Sequence, residues 1–259
     1  MSIRIVPLHP EILGSPVVLS APAKLTYRGG PTIKSVDLVA VFLGDQWTGS
    51  QPPKVQHEQI TAFLQDIVPS SYLIDTCGEY GIGKGTFNSS AFLSLAGQGP
   101  GCAVLGFGAK TQATTSIDDV EIAARLRDAI LAGKLPPKTP QTLYVVFVEP
   151  GVTVTLKSQN AASCQQFCGY HNSDGLGMFY GVIPYPDCVG CIGSVLDEFK
   201  ALTSVTTHEL AEAVTDPEPG TGWYDDANGE NGDICAWQTR TQDGYSVQLE
   251  WSNAKGRCV

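Results

Sequence analysis

The sequence has little positive charge: 16 lysine and arginine residues stand against 26 acidic residues, and the formal net charge is −10. Nucleic-acid binding needs a basic surface, because phosphate contacts supply much of the affinity. The acidic balance therefore predicts no nucleic-acid partner, and it argues against an anionic membrane surface. Long apolar runs are also lacking. No stretch approaches the about 20 apolar residues of a membrane span, so none is predicted.

A signal peptide is lacking as well, since Met1-Ser2-Ile3-Arg4 does not lead into the roughly 7 to 15 apolar residues of a signal-peptide core. The missing signal peptide counts against secretion, whereas the eight cysteines favour it. Four of them cluster as Cys164-x3-Cys168 and Cys188-x2-Cys191, a spacing that fits either disulfides in an oxidising compartment or a four-thiolate zinc site. The other four are scattered, which a metal ribbon does not explain, so disulfides and a secreted, extracellular protein are favoured. These four are Cys77, Cys102, Cys235 and Cys258.

Hydrophobic patterning predicts an α/β or α+β domain. Two short apolar runs, Val36–Leu43 and Leu143–Val148, are typical of buried strands. Helical spacing of apolar residues predicts one helix after Pro53 and another that begins at Asp118-Asp119. The segment Met178–Pro184 is predicted as an edge strand, because a proline cannot donate to a central ladder.

The most specific motif is His208-Glu209-Leu210-Ala211-Glu212. It matches the HExxH helix of zinc proteases, with Glu212 in place of the second histidine. On a helix His208 and Glu212 lie on one face and can reach the same ion, while Glu209 is turned away and can act on a water. A Thr-Ser-Val-Thr-Thr run is expected to lead into this helix, and Asp216-Pro217 to end it.

A third ligand is sought in the acidic, glycine-rich turn after the helix. Glu230 lies 18 residues past Glu212, similar to the gap at which thermolysin-like enzymes supply theirs. Asp233 and His171 are the alternatives, and Asp233 could instead accept the spare N–H of His208.

Several motifs together resemble the Exordium family, also called phosphate-induced protein 1. The resemblance covers most of the chain from about residue 25. It rests on Leu25–Pro31, Phe167–His171, Cys188-x2-Cys191, His208–Glu212, Trp223-Tyr224, Glu230-x2-Asp233-x-Cys235 and the segment from Val247-Gln248-x2-Trp251 to Cys258. The resemblance implies a secreted protein with a role tied to growth and the extracellular matrix. His171, His208, Glu209, Glu212, Glu230 and Asp233 all fall on family motif positions, whereas Glu218, at the metzincin third-ligand spacing, does not.

The sequence thus predicts a zincin-like mixed sheet with an edge strand, packed on helices that include the HExxE helix. Residues 1–30 are an extended N-terminal segment and residues 31–259 a single Exordium-type domain. The leading hypothesis is a zinc endopeptidase, with manganese or calcium as alternative metals. His208 and Glu212 bind the metal, Glu209 is the general base, and Tyr224 stabilises the oxyanion of a protein or peptide substrate. The alternative is a non-catalytic cell-wall or glycan-binding protein with a structural metal.

Overall fold

A computed structural model of the protein describes residues 3–10, 22–95, 116–193 and 196–259. The α-helices described from end to end are α1 (His57–Ile67), α2 (Tyr72–Cys77), α3 (Asp119–Leu131), α4 (Val189–Ile192), α5 (Glu198–Thr215) and α6 (Asn231–Ile234). The strands are β1 (Ile5–Pro7), β2 (Thr26–Tyr27), β3 (Asp37–Leu43), β4 (Thr86–Leu93), β5 (Ser116–Asp118), β6 (Thr142–Val148), β7 (Thr153–Leu156), β8 (Ala161–Ala162), β9 (Phe167–Ser173), β10 (Phe179–Pro184), β11 (Trp223–Tyr224), β12 (Thr239–Gln242), β13 (Tyr245–Gln248), β14 (Trp251–Ser252) and β15 (Arg257–Cys258).

Six strands form the central sheet in the order β1, β9, β10, β6, β3, β4. The four strands from β10 to β4 run parallel to their neighbours, whereas β9 and β1 are added antiparallel. Parallel strands need crossover connections, which helices usually supply. The mixed sheet packed on helices confirms the predicted α/β class.

The sheet separates two hydrophobic cores. On β3, Leu38 and Phe42 belong to one core, and Val39 and Val41 belong to the other. Helices α1 and α5 pack into the first core, and α3 packs into the second. Both faces of the strand are therefore buried, which is why its sequence is a continuous apolar run rather than an alternating one.

The helices predicted from apolar spacing are present. Helix α1 buries the residues whose spacing predicted it, namely Ile60, Phe63, Leu64 and Ile67. Helix α3 follows Asp118, whose side chain accepts a hydrogen bond from the backbone N of Val120 at 3.3 Å. This cap satisfies one of the free N–H groups at the helix start.

The prediction that Met178–Pro184 is an edge strand was wrong. Strand β10 lies inside the sheet, antiparallel to β9 and parallel to β6. Pro184 is its last residue, and the pairing with β9 already ends at Val182 and Tyr170. The missing N–H of the proline is therefore not needed in the β9 ladder, so a proline at this end is compatible with an interior strand.

Helix α5 begins earlier than the sequence suggested. It starts at Glu198, after Asp197, whose side chain accepts from the backbone N of Lys200. The Thr-Ser-Val-Thr-Thr run lies within the helix, where the Thr206 hydroxyl donates to the carbonyl of Leu202 at 2.7 Å. Its predicted end before Asp216-Pro217 is confirmed. Although α5 has 18 residues, neither it nor another helix of the described residues is long and apolar enough to cross a membrane.

Six cysteines form three disulfides, which are Cys164–Cys188, Cys168–Cys191 and Cys235–Cys258. The first two join the start of β9 to α4 and the turn before it. Sulfurs bonded in pairs are not thiolates, so the alternative of a four-thiolate zinc site is corrected. Cys77 is a buried free thiol, and Cys102 lies outside the described residues.

The described parts of the N-terminal segment form strands. Strand β1 pairs with β9 at one edge of the central sheet, and β2 pairs with β11. Leu25 is buried in the first core. The domain division at residue 30 stays a prediction.

Candidate metal centre

Helix α5 and strand β9 bring most of the predicted site residues together. The helix carries His208, Glu209 and Glu212, and its geometry places the first and last of these on one face. The strand carries Gly169 and His171, two residues apart and therefore on the same face. A Cβ at Gly169 would lie 3.2 Å from Glu209 Oε1. The glycine thus lets the strand approach the helix closely at the site.

The first group of residues that could hold a metal ion consists of His208, Glu212 and Asp233. His208 Nε2 lies 3.0 Å from Glu212 Oε1, and the backbone N of Asp233 donates to the same oxygen at 2.9 Å. One ligand atom from each residue lies within 4.8 Å of the other two. One imidazole and two carboxylates can together bind a divalent cation.

Gln248 of β13 fixes the orientation of His208. The His208 Nδ1 atom lies 3.1 Å from Gln248 Oε1, which also accepts from the backbone N of Trp237 at 3.0 Å. The amide nitrogen of Gln248 donates to the carbonyl of Gly232 at 3.1 Å, which sets which end of the amide is oxygen. An amide oxygen only accepts, so Nδ1 donates, and in the neutral ring Nε2 has the lone pair that a metal would need.

The second group that could hold a metal ion consists of His171, Glu209 and Glu212. His171 Nδ1 lies 3.1 Å from Glu209 Oε2 and 3.6 Å from Glu212 Oε2. On the other side of the ring, His171 Nε2 lies 3.1 Å from the backbone carbonyl of Asp216. A carbonyl is also only an acceptor, so in the neutral ring Nε2 carries the hydrogen and Nδ1 presents its lone pair to the two carboxylates.

Several buried atoms of the centre have no hydrogen-bond partner among the residues that the structure describes. They are His208 Nε2, Glu209 Oε1, Glu212 Oε2 and both carboxylate oxygens of Glu230. Leaving a buried carboxylate unpaired costs several kcal/mol, at an order of magnitude. Unpaired oxygens that lie beside imidazole lone pairs are the environment that a cation would satisfy. The residues therefore fit a bound divalent metal.

Glycine makes room beside the first group. A Cβ at Gly232 would lie 2.8 Å from Glu212 Oε1 and 3.0 Å from His208 Nε2. Those are the two atoms that face each other without forming an aligned hydrogen bond. A side chain at this position would occupy space next to both ligand atoms.

The ionisable groups of the centre strongly shift one another's pKa. Burial opposes the charged form of His208 and His171, but Glu212 beside the first and Glu230 and Glu209 beside the second hold both pKa values well above the usual range. Burial raises the pKa of Glu209 and, to a larger extent, that of Glu230. Burial and the neighbouring Glu212 raise the pKa of Asp233 to about 7. Protons thus compete for the atoms that a metal would use.

The two candidate third ligands from the turn after α5, Asp233 and Glu230, lie beside different histidines. Asp233 joins His208 and Glu212 in one group, whereas Glu230 lies across His171, with its Oε1 atom 3.5 Å from Nε2. The suggestion that Asp233 accepts the spare N–H of His208 was wrong, because Gln248 is in that position.

Tyr224, the predicted oxyanion stabiliser, has other neighbours. Its ring contacts the guanidinium groups of Arg28 at 4.3 Å and Arg4 at 4.9 Å. Within the described ranges, no hydrogen bond or ion pair joins its side chain to the carboxylates of the centre. Its suggested catalytic role therefore has no support from this geometry.

Three contributors were missed by sequence reasoning. The carbonyl of Asp216 and the side chain of Gln248 orient the two histidines. Glu250 is buried nearby and accepts from the Tyr72 hydroxyl at 3.0 Å. Gln248 falls within a motif of the Exordium resemblance, but its spacing from the helix gives no hint of the contact. A backbone carbonyl has no sequence signal at all.

The centre is shielded from solvent. His171, His208, Glu212 and Glu230 are 0% exposed and Glu209 is 2% exposed. Asp233 is partly exposed and is the one member of the two groups that reaches the surface. Of the two groups, the first therefore lies nearer to solvent, on the Asp233 side.

Comparison with known proteins gives no relative. A scan against protein-family models found no match, and searches of curated proteins and of solved structures found none either. The Exordium resemblance accordingly stays a prediction.

Proposed function

We propose that this protein is a metal-dependent hydrolase, and more specifically a zinc endopeptidase. The observation that carries the proposal is that two buried imidazole nitrogens, His208 Nε2 and His171 Nδ1, face the two oxygens of the buried Glu212 carboxylate. Of these atoms, His208 Nε2 and Glu212 Oε2 have no hydrogen-bond partner among the described residues. Two imidazoles whose outer nitrogens are fixed by acceptors are typical of metal ligands rather than of a core polar network.

The first group is the proposed binding site for the ion. His208, Glu212 and Asp233 supply one nitrogen and two oxygens, a set that zinc accepts and that manganese or calcium could also use. A metal bound here would polarise a substrate carbonyl and lower the pKa of a water. Asp233 gives this group its contact with the surface.

Glu209 is the proposed general base. One carboxylate oxygen, Oε2, is held by His171 at 3.1 Å, while Oε1 has no partner. Burial raises the pKa of Glu209, which brings it closer to the pH at which proton transfer is efficient. With the ion only in the first group, His171 is protonated at both nitrogens, as its raised pKa favours, and would donate from Nδ1 to Oε2 and hold the carboxylate in place. Glu209 would then accept a proton at Oε1.

The test compares Glu209→Gln with Glu198→Gln in metal-loaded protein. Glu198 lies on the same helix but pairs with Lys54 at 2.5 Å, outside the centre. We expect Glu209→Gln to lose roughly 100- to 10,000-fold of its peptide hydrolysis rate, the usual contribution of a general base, and Glu198→Gln to keep it. Casein and a peptide library provide the substrates, and metal content is measured for each variant. Full activity in Glu209→Gln would rule out the mechanism.

A second candidate function is a non-catalytic extracellular glycan-binding protein in which the metal stabilises the fold. The near-complete burial of the centre favours it, and three disulfides are compatible with an extracellular location. Tyr27 is 51% exposed and its ring lies 5.5 Å from that of Trp223, which offers an aromatic surface for a sugar. If metal-loaded protein cleaves no peptide and a chelator lowers only the melting temperature, this candidate replaces the hydrolase.

A further inference from the structure

We infer that the centre binds two divalent cations at once, with the Glu212 carboxylate as the bridge between them. The inference rests on the proposed metal site and extends it from one ion to two. The first ion would be bound by His208, Glu212 and Asp233, and the second by His171, Glu209 and Glu212.

The position of Glu212 is the first argument. Its Oε1 atom faces His208 Nε2 at 3.0 Å, whereas its Oε2 atom faces His171 Nδ1 at 3.6 Å. The two oxygens of one carboxylate thus point to imidazoles from different elements, α5 and β9. A carboxylate that uses one oxygen for each ion can hold a pair of metals about 3.5–4 Å apart, as in two-metal hydrolases.

The fixed tautomers are the second argument. With its Nε2 donor held by the Asp216 carbonyl, neutral His171 directs a lone pair at Glu209 and Glu212, which are acceptors themselves. An ion in the first group satisfies His208 and Glu212 Oε1 only. It leaves His171 Nδ1 facing two carboxylate oxygens in the second group, an arrangement that requires a positive charge of its own. A proton on Nδ1 supplies that charge in the metal-free protein, and a second cation would replace the proton.

Charge balance is the third argument. Glu209, Glu212, Glu230 and Asp233 carry four negative charges when ionised, and Glu250, buried nearby, adds a fifth acidic group. One divalent ion supplies only two positive charges, whereas two ions supply four. One divalent ion would leave buried carboxylates uncompensated unless they remained protonated. Glu230 would compensate the second ion from across His171, where its Oε1 atom lies 3.5 Å from Nε2.

Each group also has a glycine beside it. A Cβ at Gly232 would approach Glu212 Oε1 to 2.8 Å, in the first group, and a Cβ at Gly169 would approach Glu209 Oε1 to 3.2 Å, in the second. Both positions therefore leave space next to a carboxylate ligand. In the two-ion form Glu209 would bind through Oε2 and keep Oε1 for proton transfer.

The experiment is a count of bound metal in the full-length protein. Purified protein is stripped with a chelator, dialysed against excess Zn²⁺ or Mn²⁺ and desalted, and the metal-to-protein ratio is measured by elemental analysis. We expect two ions per chain in the unchanged protein and one in His171→Gln, whose amide can still donate to the Asp216 carbonyl. Glu198→Gln should keep two. Circular dichroism checks that each variant is folded.

The Mn²⁺ form provides a second measurement. Two ions that share a carboxylate should give the electron paramagnetic resonance spectrum of a coupled pair in the unchanged protein, and His171→Gln should give that of an isolated ion. One ion per chain in the unchanged protein, with the same ratio in His171→Gln, would overturn the two-ion inference and leave the proposed hydrolase intact. No bound metal in any form would overturn both.

Discussion

The two histidines of the centre are oriented by atoms outside the metal-binding groups. Gln248 accepts from His208 and is itself held by the backbone of Trp237 and Gly232. The carbonyl that accepts from His171 belongs to Asp216, immediately after α5. In the neutral rings these contacts leave one nitrogen of each imidazole, His208 Nε2 and His171 Nδ1, facing the carboxylates. The proposed ion would therefore need little reordering of the two rings on binding.

At the scale of single residues, Gly232→Ala should weaken metal binding. The added Cβ would lie 2.8 Å from Glu212 Oε1 and 3.0 Å from His208 Nε2, so a ligand atom has to move. We expect the metal dissociation constant to rise roughly 10- to 100-fold, as for residues that orient metal ligands. Isothermal titration with Zn²⁺ measures the change.

Gly78→Ala is the matched control for this substitution. Its Cβ would meet Ile74 Cγ2 at 3.6 Å, an ordinary contact, and its φ of −60° suits alanine. It should bind metal as the unchanged protein does. Equal affinities in the two alanine variants would mean that Gly232 does not make room for the ion.

At the scale of elements, strand β9 is held from both faces. His171 faces α5, whereas its neighbours Tyr170 and Asn172 face the other way and hydrogen-bond Asp119 at the start of α3. Tyr180 of β10 donates to the same carboxylate at 2.8 Å. Helix α3 thus fixes the strand that presents His171, although it lies across the sheet from the centre.

This network should make stability depend on pH through Asp119. Burial raises the pKa of Asp119 above its ordinary 3.8, although three side-chain donors partly offset that effect. Folding therefore favours the protonated carboxyl. As pH rises from the unfolded pKa through the folded pKa, the unchanged protein should lose stability relative to Asp119→Asn, which does not titrate. Urea unfolding across this pH range, with the chelator present, gives the two curves.

Tyr180→Phe tests the cause of the shift. It keeps the carboxyl but removes a donor that stabilises the charged form, so the pKa of Asp119 should rise further and the loss of stability should extend to higher pH. Parallel curves for all three proteins would mean that Asp119 does not link proton binding to folding.

Elements with a clear period could be predicted from the sequence, and elements that depend on tertiary context could not. The apolar runs gave β3 and β6, and helical spacing gave α1 and α3. Helix α5 was predicted too short because threonines are poor helix formers, yet here their hydroxyls bond to carbonyls of the preceding turn. The position of β10 in the sheet depends on its neighbours, which local patterns do not reveal.

In the centre too, the contacts within one helix could be predicted from the sequence, and the contacts between elements could not. His208 and Glu212 are four positions apart on one helix, and Glu209 lies between them. Helix geometry alone therefore predicts that the three side chains are close together. The choice between Glu230 and Asp233 depends on how the turn before α6 is folded, and the role of Gln248 depends on where β13 packs on α5. Sequence spacing does not determine either contact.

At the scale of the whole molecule, the centre joins parts of the chain that are far apart in sequence. Strand β9, helix α5, the α6 region and β13 all contribute, and the disulfide between Cys168 and Cys191 lies three residues before His171. Global unfolding therefore separates the metal ligands. A metal that binds only the folded chain should stabilise the entire domain rather than one loop.

Metal concentration should accordingly control global stability. Each ion bound only by the folded protein raises the free energy of unfolding by about 1.4 kcal/mol per tenfold rise in free metal above its dissociation constant. Two ions should double that slope to about 2.7 kcal/mol. Mn²⁺ is the suitable probe, because it prefers carboxylate oxygens to thiolates and so binds the Cys77 thiol, which unfolding exposes, only weakly. Urea unfolding without reductant, at a series of Mn²⁺ concentrations, measures the slope.

Two substitutions on α5 test whether this slope comes from the centre. Glu212→Gln, which alters both groups, should flatten the dependence of stability on Mn²⁺, and Glu198→Gln should not. A stability independent of Mn²⁺ in the unchanged protein would show that the folded chain holds no such ion.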